Sequence, residues 1–201
     1  AYKNGKIGVN VYFLNPHGVL VGETGIINVG RLSLQAPTQD FMRNMFTANG
    51  MINAPQVTKV LDNDMTLSNT GLISVRGQIN ATSGAQLGGG NIEVSGSVET
   101  GASAVVRIDN LVNLSGAMID MDDVTPMVDL AAVNDIAVTG RIGADGTDGQ
   151  QAGAVDVRAG GNITVAAGAD ISSDGQGLNS DGGTVIVMAD NRSVLSAGAV
   201  I

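Results

Sequence analysis

The sequence predicts an all-β chain wound as a parallel β-helix, a solenoid of short strands, with a short helical insertion near residues 38–48. Three observations carry that expectation. Short segments of alternating apolar and polar residues recur along the chain, glycine is abundant (29 of 201 residues), and aromatic residues make up only 2 %. With 43 % apolar residues and no Trp, the core must be built from small and branched aliphatics.

The repeat unit is an apolar-polar-apolar strand, a small residue, then a second short alternating strand. Copies read "ISVRGQINA" from Ile73, "IEVSGSVET" from Ile92, "VNLSGAMID" from Val112, "IAVTGRIGA" from Ile136 and "ITVAAGADI" from Ile163. Their starts lie 19, 20, 24 and 27 residues apart, and a last copy is expected near Val194. Period-two alternation of β-branched residues marks strands with one buried face. A lone strand pair of this kind cannot bury that face, whereas stacked copies make a continuous core. About 20 residues, with strands rising roughly 3.3 Å per residue, suit one circuit of a parallel β-helix. An antiparallel sandwich also has turns every 8 to 12 residues, but it needs no self-similar repeats and usually buries aromatics.

The longer intervals carry "GADGTDGQQAG" at 143–153 and "SSDGQGLNSDGG" at 172–183. Glycine there supplies positive φ and Asp accepts from nearby amides, so these segments read as turns protruding from a constant cross-section. "PTQDFMRNMFTANG" breaks the strand pattern. Thr38 caps, and Phe41, Met42, Met45 and Phe46 follow at helical spacing until Asn49-Gly50 stops the run. The simplest expectation is a short helix laid over the early coils; a sharper one makes Phe41, Met45 and Phe46 a partner-binding face. After it, "NAPQVTKVLDNDMTLSNTGLISV" is expected to return to strands, with "TGLISVRG" at 70–77 echoing "TGIINVG" at 24–30. The organisation is thus 1–36, a helix-containing insertion with return strands at 37–66, and filament-like repeats at 67–201.

Charge is uneven. Up to Arg76 there are six basic and four acidic residues; beyond it, four Arg face fifteen Asp or Glu, so the net −9 divides into +2 and −11. An acidic half without aromatics is a poor partner for nucleic acid, which needs clustered cations and stacking platforms. The absence of cysteine excludes disulfides, thiolate metal sites and a Cys nucleophile. No run of about 18 apolar residues is present to span a bilayer as a helix. The start at Ala1 and the strand-like end "SVLSAGAVI" suggest an excerpt of a longer, processed chain.

Chemistry finds little footing. The single histidine, His17, sits in the turn Asn15-Pro16-His17-Gly18 between two apolar runs, where a solvated turn residue is expected rather than a catalytic base. Asp120, Asp122 and Asp123 form the best carboxylate cluster for a carbohydrate-active enzyme. A saccharide cleft usually offers aromatic walls, however, and residues 47–201 contain none. Asp145 with Asp148 and Asp174 with Asp181 are weak Ca²⁺ candidates in Gly-rich loops, but neither loop has calcium-roll or EF-hand spacing. No catalytic residue, metal or cofactor is expected.

"VYFLNPHGVLVGETGIINVGRLSLQAPT" closely resembles the signature region of two-partner-secretion exoproteins, the filamentous-haemagglutinin-type adhesins, whose pattern is "FINPNGV.FG...INVG.L". Phe13, Asn15, Pro16, Gly18, Val19, Gly22, Ile27, Asn28, Val29, Gly30 and Leu32 match; Leu14, His17 and Val21 depart from it. Leukotoxin-type filamentous adhesins, with a comparable "APT" and helix insertion, look most similar. The resemblance implies a right-handed coil and a secretion (TPS) domain, here its later part, in residues 1–36. It implies recognition by a TpsB-type outer-membrane transporter bearing POTRA domains, and a secreted adhesin at the cell surface of a Gram-negative bacterium. Attachment or biofilm formation would follow, with polysaccharide or a host or neighbouring cell surface as partner. A self-assembling fibre, joined end to end, is the structural alternative.

Overall fold

The computed structural model describes residues 2–3, 6–7, 9–100, 127–147, 149, 151–196 and 198–201. The described residues are mostly strand with two short helices. The chain opens with β1 (Tyr2–Lys3) and β2 (Lys6–Ile7), an antiparallel pair, then β3 (Asn10–Leu14), β4 (Gly18–Val21) and the long β5 (Ile26–Gln35). Helices α1 (Gln39–Arg43) and α2 (Ala54–Leu61) follow. Next come β6 (Leu72–Val75), β7 (Gln78–Gly89), β8 (Asn91–Val94) and β9 (Ser97–Thr100). After residue 126 the strands are β10 (Met127–Ala132), β11 (Ile136–Val138), β12 (Arg141–Gly143) and β13 (Gly146–Thr147). The last are β14 (Ala154–Ala159), β15 (Asn162–Val165), β16 (Asp170–Ser172), β17 (Gly175–Gln176), β18 (Thr184–Ala189) and β19 (Arg192–Leu195).

Apart from β1 with β2, every paired strand in these sheets is parallel to its neighbour, and besides the short pair of β13 with β17 the parallel pairings among the described residues form three ladders. The first runs β3, the second half of β5, the second half of β7, β10, β14, β18. The second runs β4, β6, β8, β11, β15, β19. The third takes the first halves of β5 and β7, then β9, β12 and β16. Successive passages of the chain visit the three ladders in the same order. Strands β5 and β7 each serve two ladders, and β5 breaks register between Val29 and Arg31.

The core lies between the ladders and is made of aligned aliphatic columns. Val19, Ile73, Ile92, Ile136 and Ile163 stand in register; so do Leu34, Leu87, Leu130, Val157 and Val187, and Ile27, Ile79, Val98, Ile142 and Ile171. Ile73, Ile92, Ile136 and Ile163 are essentially inaccessible, and burying each such side chain contributes about 1.5–3 kcal/mol. Alternation along β8, β11 and β15 places the residues between them outward, which is why a period of two was legible in the sequence.

The small residue between the paired strands of each repeat has a steric cause. Gly77, Gly96 and Gly140 stand in a column at the second corner. A Cβ at Gly77 would overlap the carbonyls of Gly22 and Gly25, one at Gly96 that of Gly77, and one at Gly140 that of Gly96. The same carbonyls accept ladder-like bonds from the next passage: Gly77 from Ser97 N–H (2.9 Å) and Gly96 from Arg141 N–H (2.9 Å). At the first corner a polar side-chain ladder does similar work. Asn91 Oδ1 accepts from Asp135 N–H (3.3 Å), Asp135 Oδ1 from Asn162 N–H (2.6 Å), and Asn162 Oδ1 from Asn191 Nδ2 (3.0 Å).

Several expectations need correction. The copy read from Val112 lies outside the described residues, and the second ladder passes directly from Ile92 to Ile136. The final copy, expected near Val194, is β19, in which Ser193 lies opposite Ile163. The two stretches that echo each other in sequence fall in different ladders: Ile73 pairs with Val19, and Ile27 with Ile79. The insertion holds two helices, not one. Asn44 ends α1, and residues 46–52 fold back on themselves through the antiparallel bridge Phe46 to Ile52 and the Thr47 N–H to Met51 O bond (2.8 Å). α2 replaces the expected return strands; Pro55 in its first turn and apolar Val57, Val60 and Leu61 favour a helix there.

Candidate functional site

Of the residues matched to the secretion signature, Asn15, Pro16, Gly18, Gly22 and Gly30 sit at bends of the chain's first passage through the three ladders, whereas Phe13, Val19, Ile27, Asn28, Val29 and Leu32 lie within β3, β4 and β5. At the first corner Asn15 Oδ1 accepts from His17 N–H (3.0 Å) and Asn15 O from Gly18 N–H (2.9 Å). Pro16 pre-sets the second position, and Gly18 leaves at φ +106°. Close approach adds to the conformational demand, because a Cβ on Gly18 would collide with the Leu72 backbone of the next circuit. His17 is exposed, with Nε2 3.5 Å from Gln39 Nε2. It has no acidic or hydroxyl partner among its described contacts, so the geometry matches a turn residue.

At the second corner Gly22 O accepts from Gly25 N–H (2.8 Å), and both carbonyls face Gly77. Between the second and third bends, within β5, Asn28 Oδ1 accepts from Asn80 Nδ2 of the in-register strand at 2.8 Å. Gly30 marks the register break; its carbonyl accepts from Ser83 Oγ (2.7 Å) and its N–H reaches Val9 O (3.2 Å). Asn15, Pro16, Gly18, Gly22 and Gly30 therefore lie at three bends of one passage, with Asn28 in the strand between the last two. They do not converge on a pocket.

The insertion docks on the first of those corners. It leaves and returns through a short antiparallel stem, with Thr38 N–H bonded to Thr66 O and Ser68 N–H to Ala36 O, both 2.8 Å. Thr38 Oγ1 caps α1 by accepting from Phe41 N–H (3.2 Å), as its sequence position suggested. Phe41, Met45 and Phe46 are not one face, however. Phe41 is buried, Met45 follows the helix end, and Phe46 lies in the fold-back with 56 % exposure. Pro16, Gln39, Met42, Arg43 and Phe46 line an open groove of about 360 Å³ between corner and helix.

The acidic loops occupy the corner between the third ladder and the first. Each is closed at its base, by Gly153 N–H to Ala144 O (2.7 Å) and Gly183 N–H to Ser173 O (2.8 Å). They stack in parallel through β13 and β17. Asp145 is buried at the base. Its carboxylate accepts from Arg141 Nη2 (2.5 Å), Ser172 Oγ (3.0 Å) and Asp174 N–H (3.0 Å). Arg141 also meets Asp170 (2.5 Å) and lies 3.7 Å from Glu99. The sequence reading missed this Arg-centred cluster, whose members come from three successive circuits; only the register reveals it. Asp174 meets Asp145 through its backbone and is itself exposed, while Asp181 is contacted by Gln151 Nε2 at 3.5 Å. Asp148, and the cluster Asp120, Asp122 and Asp123, lie outside the described residues. Among the described residues no group of three or more His, Asp or Glu is placed to hold a metal ion.

No family model, no curated protein and no solved structure matches this chain. Its own geometry therefore carries the functional argument. On the outward side of the first ladder, Asp129 of β10 stands in register with Asp156 of β14. Burial, and then the Asp156 carboxylate, push the Asp129 carboxyl above the ordinary aspartate range, against Arg158 and Arg31. Arg158 is held more firmly protonated by its hydrogen bond to Asp156 and by that carboxylate's charge.

Proposed function

We propose that the chain is a right-handed parallel β-helix, a non-enzymatic rod segment of a secreted adhesin exported by two-partner secretion, whose first circuit belongs to the secretion domain. The carrying observation is that the signature residues Asn15, Pro16, Gly18, Gly22 and Gly30 lie at bends of a single circuit, where chain direction rather than ligand contact constrains them. Such a motif suits recognition of the unfolded or edge-presented segment by POTRA domains through strand addition. It also suits nucleation of the first circuit after passage. Later circuits extend the rod by repeating one cross-section, and their stacked loops present polar surface for attachment to a cell surface or polysaccharide.

Export is the decisive experiment. The chain would be expressed in a Gram-negative host with and without a POTRA-bearing outer-membrane transporter encoded beside its gene. Appearance in the medium only with the transporter, and its loss in Gly18→Val, is expected. Transporter-independent release, or equal export of the variant, would overturn the assignment.

A further inference from the structure

The Asp129 and Asp156 side chains share one side of the first ladder on adjacent parallel strands, a strand spacing of about 4.8 Å apart. Arg158 donates from both Nε (3.0 Å) and Nη2 (2.7 Å) to the same Asp156 oxygen, Oδ2. Asp156 Oδ1 is left buried with no hydrogen-bond partner. A buried carboxylate oxygen without a donor is costly, and the in-register neighbour on β10 is a group that can become one. We propose that Asp129 and Asp156 form a proton-sharing pair, in which the Asp129 carboxyl, when protonated, donates to Asp156 Oδ1 and tightens the β10–β14 ladder.

The surrounding charges fit that role. Arg31 of β5 and Arg158 of β14 are the cations acting on Asp129, and β7 presents neutral Gln86 opposite it. Of the other strands touching β10, β8 carries the exposed Glu93 and β9 carries Glu99, which faces Arg141. Two like charges one strand apart repel when both are ionised. Because the Asp129 carboxyl is raised in the folded chain, its stabilising contribution is complete below the unfolded aspartate value of about 3.9 and is lost as pH rises through the folded value. The device is an acid-strengthened clasp, independent of how the chain is exported.

The test joins a carbon-13 carboxyl titration of Asp-labelled protein to urea midpoints of wild type and Asp129→Asn. Asp129 is expected to titrate above about 3.9, and the wild-type midpoint to fall as pH rises from about 3.9 through the Asp129 titration and to level off above it. Asp129→Asn, a permanent donor, should show a smaller fall and a higher midpoint than wild type at the upper pH. Titration of Asp129 in the ordinary range, or the same midpoint change in both proteins, would overturn the proposal. Should the variant fail to fold, the wild-type carboxyl titration decides alone.

Discussion

Gly18 and His17 are neighbours whose roles separate on physical grounds. Gly18 combines φ +106° with a backbone contact that leaves no room for a Cβ, whereas His17 is exposed and contributes its N–H to Asn15, which any non-proline residue can do. Gly18→Val should therefore destabilise the chain by about 3 kcal/mol or more, from left-handed strain plus overpacking. Asn15→Ala loses one side-chain acceptor and should cost about 0.5–1.5 kcal/mol. His17→Asn should stay within about 0.5 kcal/mol. Urea denaturation of the three variants gives the ranking, and equal effects at positions 17 and 18 would refute this account of the turn.

Among elements, the strands were far more legible than the insertion. The columns through Ile73, Ile92, Ile136 and Ile163 follow from alternation, because in-register parallel stacking puts like residues over like. Alternation does not say which copy stacks on which, and the likeness of 24–30 to 70–77 does not correspond to a pairing of those strands with each other. Pairing there is decided by corners and long connections rather than by local pattern. In the insertion, apolar spacing suggested one helix through Phe46, but Asn44 and the Thr47 turn end it earlier. α2 was masked by its polar neighbours despite Pro55 near its start. The Arg141 cluster could not be read at all, since Glu99, Asp145 and Asp170 meet only through register.

The column itself makes a graded prediction. Ile136 is 1 % exposed with aliphatic neighbours in the strands on both sides, while Leu195 of β19 is 58 % exposed. Ile136→Ala should cost about 2–5 kcal/mol, through lost transfer energy plus a cavity that close-packed neighbours cannot fill. Leu195→Ala should cost less than about 1 kcal/mol, because little of the side chain leaves water. Thermal or urea unfolding that gave the two variants similar losses would mean that the second ladder is not packed as a continuous column.

For the whole molecule, the question is whether the two-helix insertion is part of the framework or an attachment to it. Its stem places residues 38 and 66 in hydrogen-bonded register, so a two-residue Asn-Gly link can close the gap without shifting either flanking strand. The first and second ladders hold their pairings through β5, β6 and β7 irrespective of residues 39–65. What the insertion adds is local: Phe41 and Val60 are buried in it, and Asn63 Oδ1 accepts from Gln35 Nε2 at 3.3 Å. Replacing residues 39–65 by Asn-Gly should therefore preserve the β-sheet circular dichroism and one cooperative transition. Stability should fall by a few kcal/mol, roughly the loss of two buried apolar side chains. Hydrogen exchange should show unchanged protection in β8, β11 and β15 and weaker protection in β5 and β6, which border the excision. Global loss of protection would mean instead that the insertion nucleates the stack, and that the ladders depend on a segment they do not contain.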